Sequence, residues 1–274
     1  MATPQKHARL VDRAVIALGG ADWRDFLHNL ISQDVESLGP DEIRFAALLN
    51  PQGRLLYDLF VIGRPEGCWL DVAAEHRPQI VQRLTLYRLR AKVTIETPDL
   101  SVGVLFPGVG GDRPEGWLVD PRLPTLGLRG YGLAAPAGAV EASPELYEAH
   151  RLALGVPGPA DWGVEKTYPI EANFDLLDAI DFKKGCFVGQ ETTSRMKRRG
   201  TVKTRFLPVA FDGPAPAPGA EILAGDLRAG EVLSVGDGLA MASLRLDRIE
   251  GAPLSADGHA LRVLRPDWFA AALG

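Results

Sequence analysis

Cysteine is nearly absent. Cys68 and Cys186 are the only two in 274 residues, and 118 positions separate them. That count excludes a disulfide scaffold, a CxxC site and a four-cysteine metal site, and it makes a reducing, cytoplasmic setting the expectation. No apolar run reaches the ~18 residues that a membrane span needs. The opening stretch MATPQKHARLVDRAVIAL lacks a signal-peptide layout, because charges interrupt any apolar core. Excess positive charge is also missing: the net charge of −5 argues against a general nucleic-acid binder. There is no GxxxxGK[ST] phosphate loop, no HExxH, no GxSxG and no GxGxxG behind a strand. Gly108-Val109-Gly110-Gly111 reads as a loop with no helix signal after it. The five histidines (7, 28, 76, 150 and 259) show no metal-ligand spacing. Lysine is scarce, at 7 of 30 basic residues, and its placement is uneven.

What is present suits a folded chain. Apolar residues make up 46% and charged residues 24%, and the length fits two or three compact units. Residues 22–38 predict one amphipathic helix, with Trp23, Phe26, Leu27, Leu30 and Ile31 on a single stripe. Residues 44–63 predict a hairpin turning at Pro51-Gln52-Gly53. A strand follows at 68–73, then a helix near 76–90 with Ile80, Leu84 and Tyr87 on one face. A strand at 92–96 has Val93 and Ile95 alternating with polar residues. This order suggests an α+β sandwich of the split βαβ kind.

Residues 98–142 are rich in glycine and proline, with short strands at 101–106 and 116–121. Ser143 and Pro144 open a helix that Gly155 closes. Residues 156–200 show little periodicity, and an irregular stretch of that length is usually functional. From 205 onward RFLPVAF, EVLSV, LAMASLR and ALRVL read as short strands of a small antiparallel barrel or sandwich, joined in part by a stiff loop at 212–219. The expected division is 1–203 and 204–274, with the first region internally divided near 98–142.

One segment is chemically unusual. Between Lys183 and Arg205 lie eight basic residues and one acid, Glu191, a local balance of +7 in a chain of net −5. The remainder therefore carries −12. Such an island is either a solvated loop or a seat for an anionic partner. Cys186 lies inside it behind Lys183-Lys184-Gly185. Nearby positive charge favours a thiolate, which is both nucleophile and soft-metal ligand; the alternative is a buried structural cysteine. A chain with two cysteines cannot hold an iron–sulfur cluster alone, so a cluster on Cys186 would be shared with a partner or a small thiol. Asp58, in the apolar run 55–60, belongs either to the solvent face or to a polar pocket. Asn50 is either a turn residue or a ligand contact.

The run Lys184-Gly185-Cys186-Phe187-Val188-Gly189-Gln190-Glu191 resembles the KGC[YF]xGQE signature of the YgfZ-type folate-binding family, and the match continues through Arg195, Arg199 and Gly200. Supporting likeness comes from DWRDFLHNLISQDVESL, FAALLNPQGRLLYDLFV, His150–Pro157 and Pro169–Asn173. That family is related to the aminomethyltransferase of the glycine cleavage system and includes mitochondrial iron–sulfur cluster assembly factors that work with A-type carriers. The resemblance covers roughly residues 8–250. It implies ferredoxin-like α/β units around a central folate-binding opening, followed by a C-terminal antiparallel β-barrel. It implies tetrahydrofolate or a related reduced folate near Asn50, Tyr57 and Asp58. Lys184, Gln190, Glu191 and Arg195 join the binding set, and Cys186 becomes the ligand of a transient cluster shared with an A-type carrier.

Two departures from the aminomethyltransferase pattern favour the assembly-factor branch. The hairpin strand carries Tyr57-Asp58 in place of two acids, and Ala153 stands where a pterin-holding glutamate is expected. Loss of that charge-assisted hydrogen bond is worth ~1.5–3 kcal/mol. The expectation is a folate-binding assembly or repair factor, monomeric, with no membrane and no direct nucleic-acid contact. The alternatives are a tetrahydrofolate-dependent one-carbon transferase using Asp58, and an indirect link to tRNA modification.

Overall fold

The computed structural model describes residues 5–107, 113–200 and 202–273. The loop expected at 108–111 lies outside the described residues. The first region opens with β1 (Lys6–Arg9), β2 (Arg13–Gly19), α1 (Trp23–His28), β3 (Ile43–Leu49), β4 (Leu55–Arg64), β5 (Gly67–Ala73), α2 (Arg77–Arg88) and β6 (Thr94–Glu96). It continues through β7 (Val102–Phe106), β8 (Leu118–Val119), β9 (Leu128–Tyr131), β10 (Val140–Glu141), α3 (Pro144–Ala153) and α4 (Gln190–Arg199). The last part holds β11 (Thr204–Phe211), β12 (Glu221–Ala224), β13 (Leu227–Val235), β14 (Leu239–Arg245), β15 (Leu254–Ala256), β16 (His259–Val263) and α5 (Asp267–Leu273). Among the described residues no helix is long and apolar enough to cross a membrane.

The strands form two five-stranded sheets, β3-β4-β5-β2-β6 and β10-β1-β7-β9-β8, and a closed barrel, β11-β14-β13-β12-β15-β16. Strand alternation assigns the cores. On β4, Phe60 faces the second sheet, and its ring lies 4.9 Å from that of Phe45. Leu59 and Val61 face the opposite way, into a core with Leu27, Ile80 and Leu84 from α1 and α2. Each fully buried side chain of this kind contributes about 1.5–3 kcal/mol.

Several elements differ from the sequence expectation. The helix expected over 22–38 stops at His28. All five stripe residues are buried, but Ile31 bridges Leu48, and Ser32 pairs with Ala47 through its amide (3.0 Å) and its Oγ (2.8 Å). The edge of β3 therefore captures the chain before a second turn can form. Tyr87, expected on the buried face of α2, is exposed. The strands β1, β2, β9, β10, β12 and β15 and the helices α4 and α5 carry no prior expectation. The hairpin, β5, β6, β7, α3 and the barrel strands β11, β13, β14 and β16 stand where the pattern puts them.

Between the two sheets lies a neutral cluster of three arginines and three aspartates. Arg13 donates to Asp71 (2.6 Å) and Asp58 (2.9 Å), and Arg129 to Asp71 (2.7 Å) and Asp120 (3.0 Å). Arg122 donates to Asp120 at 2.8 Å, and the Tyr131 hydroxyl to Asp71 at 3.0 Å. All seven side chains are buried. The three guanidinium carbons lie 5.4, 4.9 and 3.7 Å from the Phe60 ring centroid, for Arg13, Arg122 and Arg129. Burial would raise the Asp120 carboxyl, but Arg122 and Arg129 outweigh it and hold it at about 2.

Removing one partner strands a buried charge, at a cost of about 3–5 kcal/mol. We expect Arg129→Leu to lower the urea midpoint accordingly, with Asp71 and Asp120 left short of a donor. A loss of unfolding free energy below about 1 kcal/mol would refute the role assigned to the cluster. Asp120 also sets an acid limit. Its folded pKa lies below its unfolded value of 3.8, so its contribution is complete above pH 4 and lost as pH falls towards 2. Urea titrations at stepped pH in wild type should show that decline, and Asp120→Asn should flatten it.

Candidate functional site

The segment 181–189 is tied down at both ends. The Asp181 amide donates to Ser32 O (3.0 Å) and the Val188 amide to Asn29 O (3.3 Å). Asp181 Oδ1 accepts the amides of Lys183 and Lys184, closing a local turn. Lys184 points inward. Its Nζ donates to the carbonyls of His28, Ile31 and Gln33 at 2.5, 2.8 and 2.9 Å, just past the end of α1. A cation there satisfies carbonyls that the helix leaves open and complements its dipole. Burial lowers the Lys184 pKa to about 8 against the pull of Asp34, Asp181 and Glu36. The amine is therefore mostly charged at neutral pH, as three donated bonds require. Phe187 also turns inward and is buried. Between these two anchors Gly185 and Cys186 stay exposed.

The far end is fixed by a contact between two glycines. Gly189, which caps α4, has φ +83°, and a Cβ there would meet Asn50 O at 2.7 Å and Gly53 Cα at 2.9 Å. Gly53, in the β3–β4 turn, has φ +80°, and its Cβ would meet Thr192 Cβ at 2.9 Å. Both positions exclude a side chain on space and on conformation. Asn50 thus acts in the turn: its Oδ1 accepts the Arg54 amide (2.9 Å), and its Nδ2 lies 3.4 Å from Glu165. Gln190 Nε2 donates back to Gly185 O at 3.3 Å. Glu191 and Arg195 are exposed on α4.

Other sequence candidates lie elsewhere. Asp58 occupies a polar pocket, bonded to Arg13 within the buried cluster. Tyr57 packs on the opposite face of the sheet with Val188 and stacks near His76, ring centroids 5.1 Å apart. Neighbouring strand residues point apart, so Tyr57 and Asp58 do not line one wall. The basic island is divided: Arg205 is buried against Asp175 at 2.5 Å and Lys184 is half-buried against backbone, while Lys183, Arg195, Lys197, Arg198 and Arg199 are exposed. Cys68 is a buried core residue whose thiol burial pushes well up. The helix α4 had no apolar period to announce it; only the bracketing glycines 189 and 200 could have marked it. The buried cluster was legible in part at Asp58, and otherwise only as the single charges Arg13 and Asp71 in the apolar strands RAVIALG and CWLDVA.

A cavity of about 400 Å³ opens at the seam of the two sheets, lined by Trp69, Tyr131, Trp117, Arg64, Asp41 and Glu115 among others. The Arg64 guanidinium lies 4.2 Å from the Trp69 ring centroid. Flat aromatic walls with arginine at the rim suit a planar heteroaromatic ring bearing carboxylates. None of Asn50, Tyr57 and Asp58 lines it.

The architecture is that of an aminomethyltransferase-type fold completed by a β-barrel. Aminomethyltransferase T of the glycine cleavage system from Bartonella henselae superposes with a TM-score of 0.75 over 95% of this chain and 85% of its own, at 16% identity. A family model described as CAF17, C-terminal beta-barrel domain, matches residues 203–271. The mitochondrial iron–sulfur cluster assembly factors IBA57 of Mus musculus and Homo sapiens are each 30% identical, over 95% of this chain and 84% of their own length. The IBA57 homolog of Coccidioides immitis (strain RS) is 32% identical over 77% of this chain, which spans 59% of that protein. The chain belongs to the IBA57 family of iron–sulfur cluster assembly factors, consistent with the YgfZ-type resemblance. The same relatives overturn the cytoplasmic expectation, since each is named as mitochondrial. Scarce cysteine marks a reducing setting but does not distinguish one reducing compartment from another.

We expect Gly189→Ala to cost about 1–2 kcal/mol locally through its left-handed backbone. Hydrogen exchange should accelerate across 181–200 while the barrel strands keep their protection. Unchanged exchange in that segment would refute the glycine clamp.

Proposed function

We propose that this protein assists iron–sulfur cluster assembly by ligating, through Cys186, a cluster shared with an A-type carrier. The observation that carries this reading is the exposure of Cys186 between two anchors, the half-buried Lys184 and the buried Phe187. A structural cysteine would be turned inward, as Cys68 is. The chain has one exposed thiol, so the remaining ligands come from the partner, and the cluster is cargo. The exposed face of α4, with Arg195, Arg198 and Arg199, gives an acidic partner a complementary surface beside the thiol. In this reading residues 1–203 form the folate-binding region and 204–274 the barrel domain, and the protein acts as a monomer.

Reduced folate, as tetrahydrofolate, is assigned to the seam cavity. Trp69 and Tyr131 would flank its ring, and Arg64 would meet a carboxylate. Bound folate carries one-carbon units or reducing equivalents. The transferase alternative loses support at Asp58, whose carboxylate is bonded to Arg13 and shielded from solvent.

Anaerobic reconstitution of the purified protein with an A-type carrier should give a coloured heterodimer on size exclusion. Cys186→Ser should abolish it while leaving the unfolding midpoint within about 0.5 kcal/mol of wild type. A coloured complex formed equally well by that variant would defeat the reading. Tetrahydrofolate should quench tryptophan fluorescence saturably, and Trp69→Ala should weaken binding at least tenfold. Wild-type affinity in Trp69→Ala would remove folate from this cavity.

A further inference from the structure

The helix α2 has apolar residues on two sides, and the fold uses one of them. Ile80 and Leu84 pack into the core with Val93. A helix turns by ~100° per residue, so Leu86 points away from that pair. It is 68% exposed, and Tyr87 and Leu89 beside it are 38% and 87% exposed. Leu89 is the most exposed large apolar side chain among the described residues. Single leucines at a surface are ordinary, but these three side chains lie together at one helix end.

Leu89 is held out by its backbone. The Ala91 amide donates to Arg88 O at 2.8 Å and closes a turn over residues 88–91. Leu89 takes the second position of that turn with φ +47° and ψ −107°, a conformation that glycine favours. The turn is braced on both sides. The Lys92 amide donates to Asp22 Oδ2 (2.7 Å), and Arg88 Nη1 donates to Val93 O (3.3 Å). Glycine would suit this turn with less strain, and leucine adds only an apolar side chain in solvent.

The same segment is strongly basic. Residues 77–95 hold Arg77, Arg83, Arg88, Arg90 and Lys92 and no acid. The segment carries +5 in a chain of −5, so the rest carries −10. Cations near a helix C-terminus complement its dipole, which accounts for Arg88 and Arg90 but not for the leucines. Arg90 and Lys92 are exposed, and the Arg83 guanidinium carbon lies 5.3 Å from the Tyr87 ring centroid. This charge selects the occupant. A second copy meeting the face across a two-fold axis would set like charges against each other. A protein partner would need a pocket shaped to each leucine. An anionic bilayer takes protruding aliphatic side chains at its acyl boundary and cations at its phosphates, with no shape to match. Spanning is not involved: α2 has 12 residues, and surface attachment needs only a few apolar side chains beside basic ones.

We propose that the C-terminal end of α2 docks on an anionic lipid surface, with Leu86 and Leu89 entering the acyl boundary and Arg83, Arg90 and Lys92 meeting headgroup phosphates. Nothing in this inference depends on Cys186 or on a cluster.

The test mixes the full chain at low ionic strength with sucrose-loaded vesicles and measures the bound fraction after sedimentation. The vesicles are phosphatidylcholine alone or phosphatidylcholine with about 30% phosphatidylglycerol. Wild type should bind the anionic vesicles at least ~10-fold more strongly than the neutral ones, and added salt should weaken binding. Leu89→Gly and Leu86→Gln should each lower the partition coefficient about 10-fold, and Arg90→Ser about 5-fold. The unfolding midpoint of Leu89→Gly should be no lower than that of wild type, because glycine relieves the turn. A leucine with a structural role alone would lower that midpoint and leave vesicle binding unmoved. Because α4 is basic too, the triple variant Arg195→Ser/Arg198→Ser/Arg199→Ser is the control, and Leu89→Gly should cause the same fold loss in that background. Wild type that does not bind anionic vesicles would overturn the proposal, as would wild-type binding by Leu89→Gly. Binding lost in the α4 triple variant but kept in Leu89→Gly would move the lipid contact to α4 and also overturn it. Self-association that requires Leu89, without vesicle binding, would assign the face to a second copy instead.

Discussion

The ion pairs of Arg13, Arg122 and Arg129 with Asp58, Asp71 and Asp120 are the constraint on which the two-sheet region depends. They come from β2, β4 and β5 on one side and from β9 and the turn after β8 on the other. Apolar contact alone would let two sheets slide, because dispersion and burial are non-directional. A guanidinium that must satisfy carboxylates on both sheets cannot slide without leaving a buried charge exposed to a low dielectric. Asp71 shows this most clearly: one oxygen accepts from Arg13 within its own sheet, the other from Arg129 and Tyr131 across the gap. The rings of Phe45 and Phe60 fill the space between, so polar and apolar parts of this core fix one another.

The functional loop is built on the outer edge of that framework by different means. It borrows rigidity from groups that other elements leave unsatisfied. The end of α1 and the chain just past it supply three carbonyls, and Lys184 binds all three. The β3–β4 turn supplies a concave backbone, and Gly189 fits against it. Both anchors flank a stretch of only four residues, within which Gly185 and Cys186 have no inward role. Exposure of the thiol is thus a consequence of where its neighbours are bound, and the loop can present a reactive group without being loose.

The sequence made much of this legible, and the failures are instructive. The signature around Cys186 marked a segment whose thiol the fold leaves exposed and whose backbone needs Gly189. Strand periodicity left the last part as a barrel or a sandwich, and the family resemblance pointed to the closed barrel. Lys184 was readable as charged and near the site, but not as a helix-end donor, because its three acceptors are more than 150 residues away in sequence. The helix 22–38 failed because local periodicity cannot see that Ser32 is captured by Ala47. Asp58 was rightly poised between surface and polar pocket; only the fold brings Arg13, 45 positions away, to its carboxylate.

The location of charge also bears on how a cluster would be held and released. A resident cofactor is usually enclosed by ligands and an apolar shell that limits solvent access. Here the buried arginines and aspartates between the sheets are already paired with one another, and the one accessible thiol lies at the surface beside a basic helix. Long-range attraction from Arg195, Arg198 and Arg199 would speed encounter with an acidic partner, and salt would weaken it within a Debye length of about 8–10 Å. Binding at an exposed site by few ligands favours exchange over storage. The fold therefore separates two tasks: the buried ion pairs hold the sheets, and the anchored loop keeps a thiol at the surface, which in the proposed reading is the donor from which a metal cargo moves on.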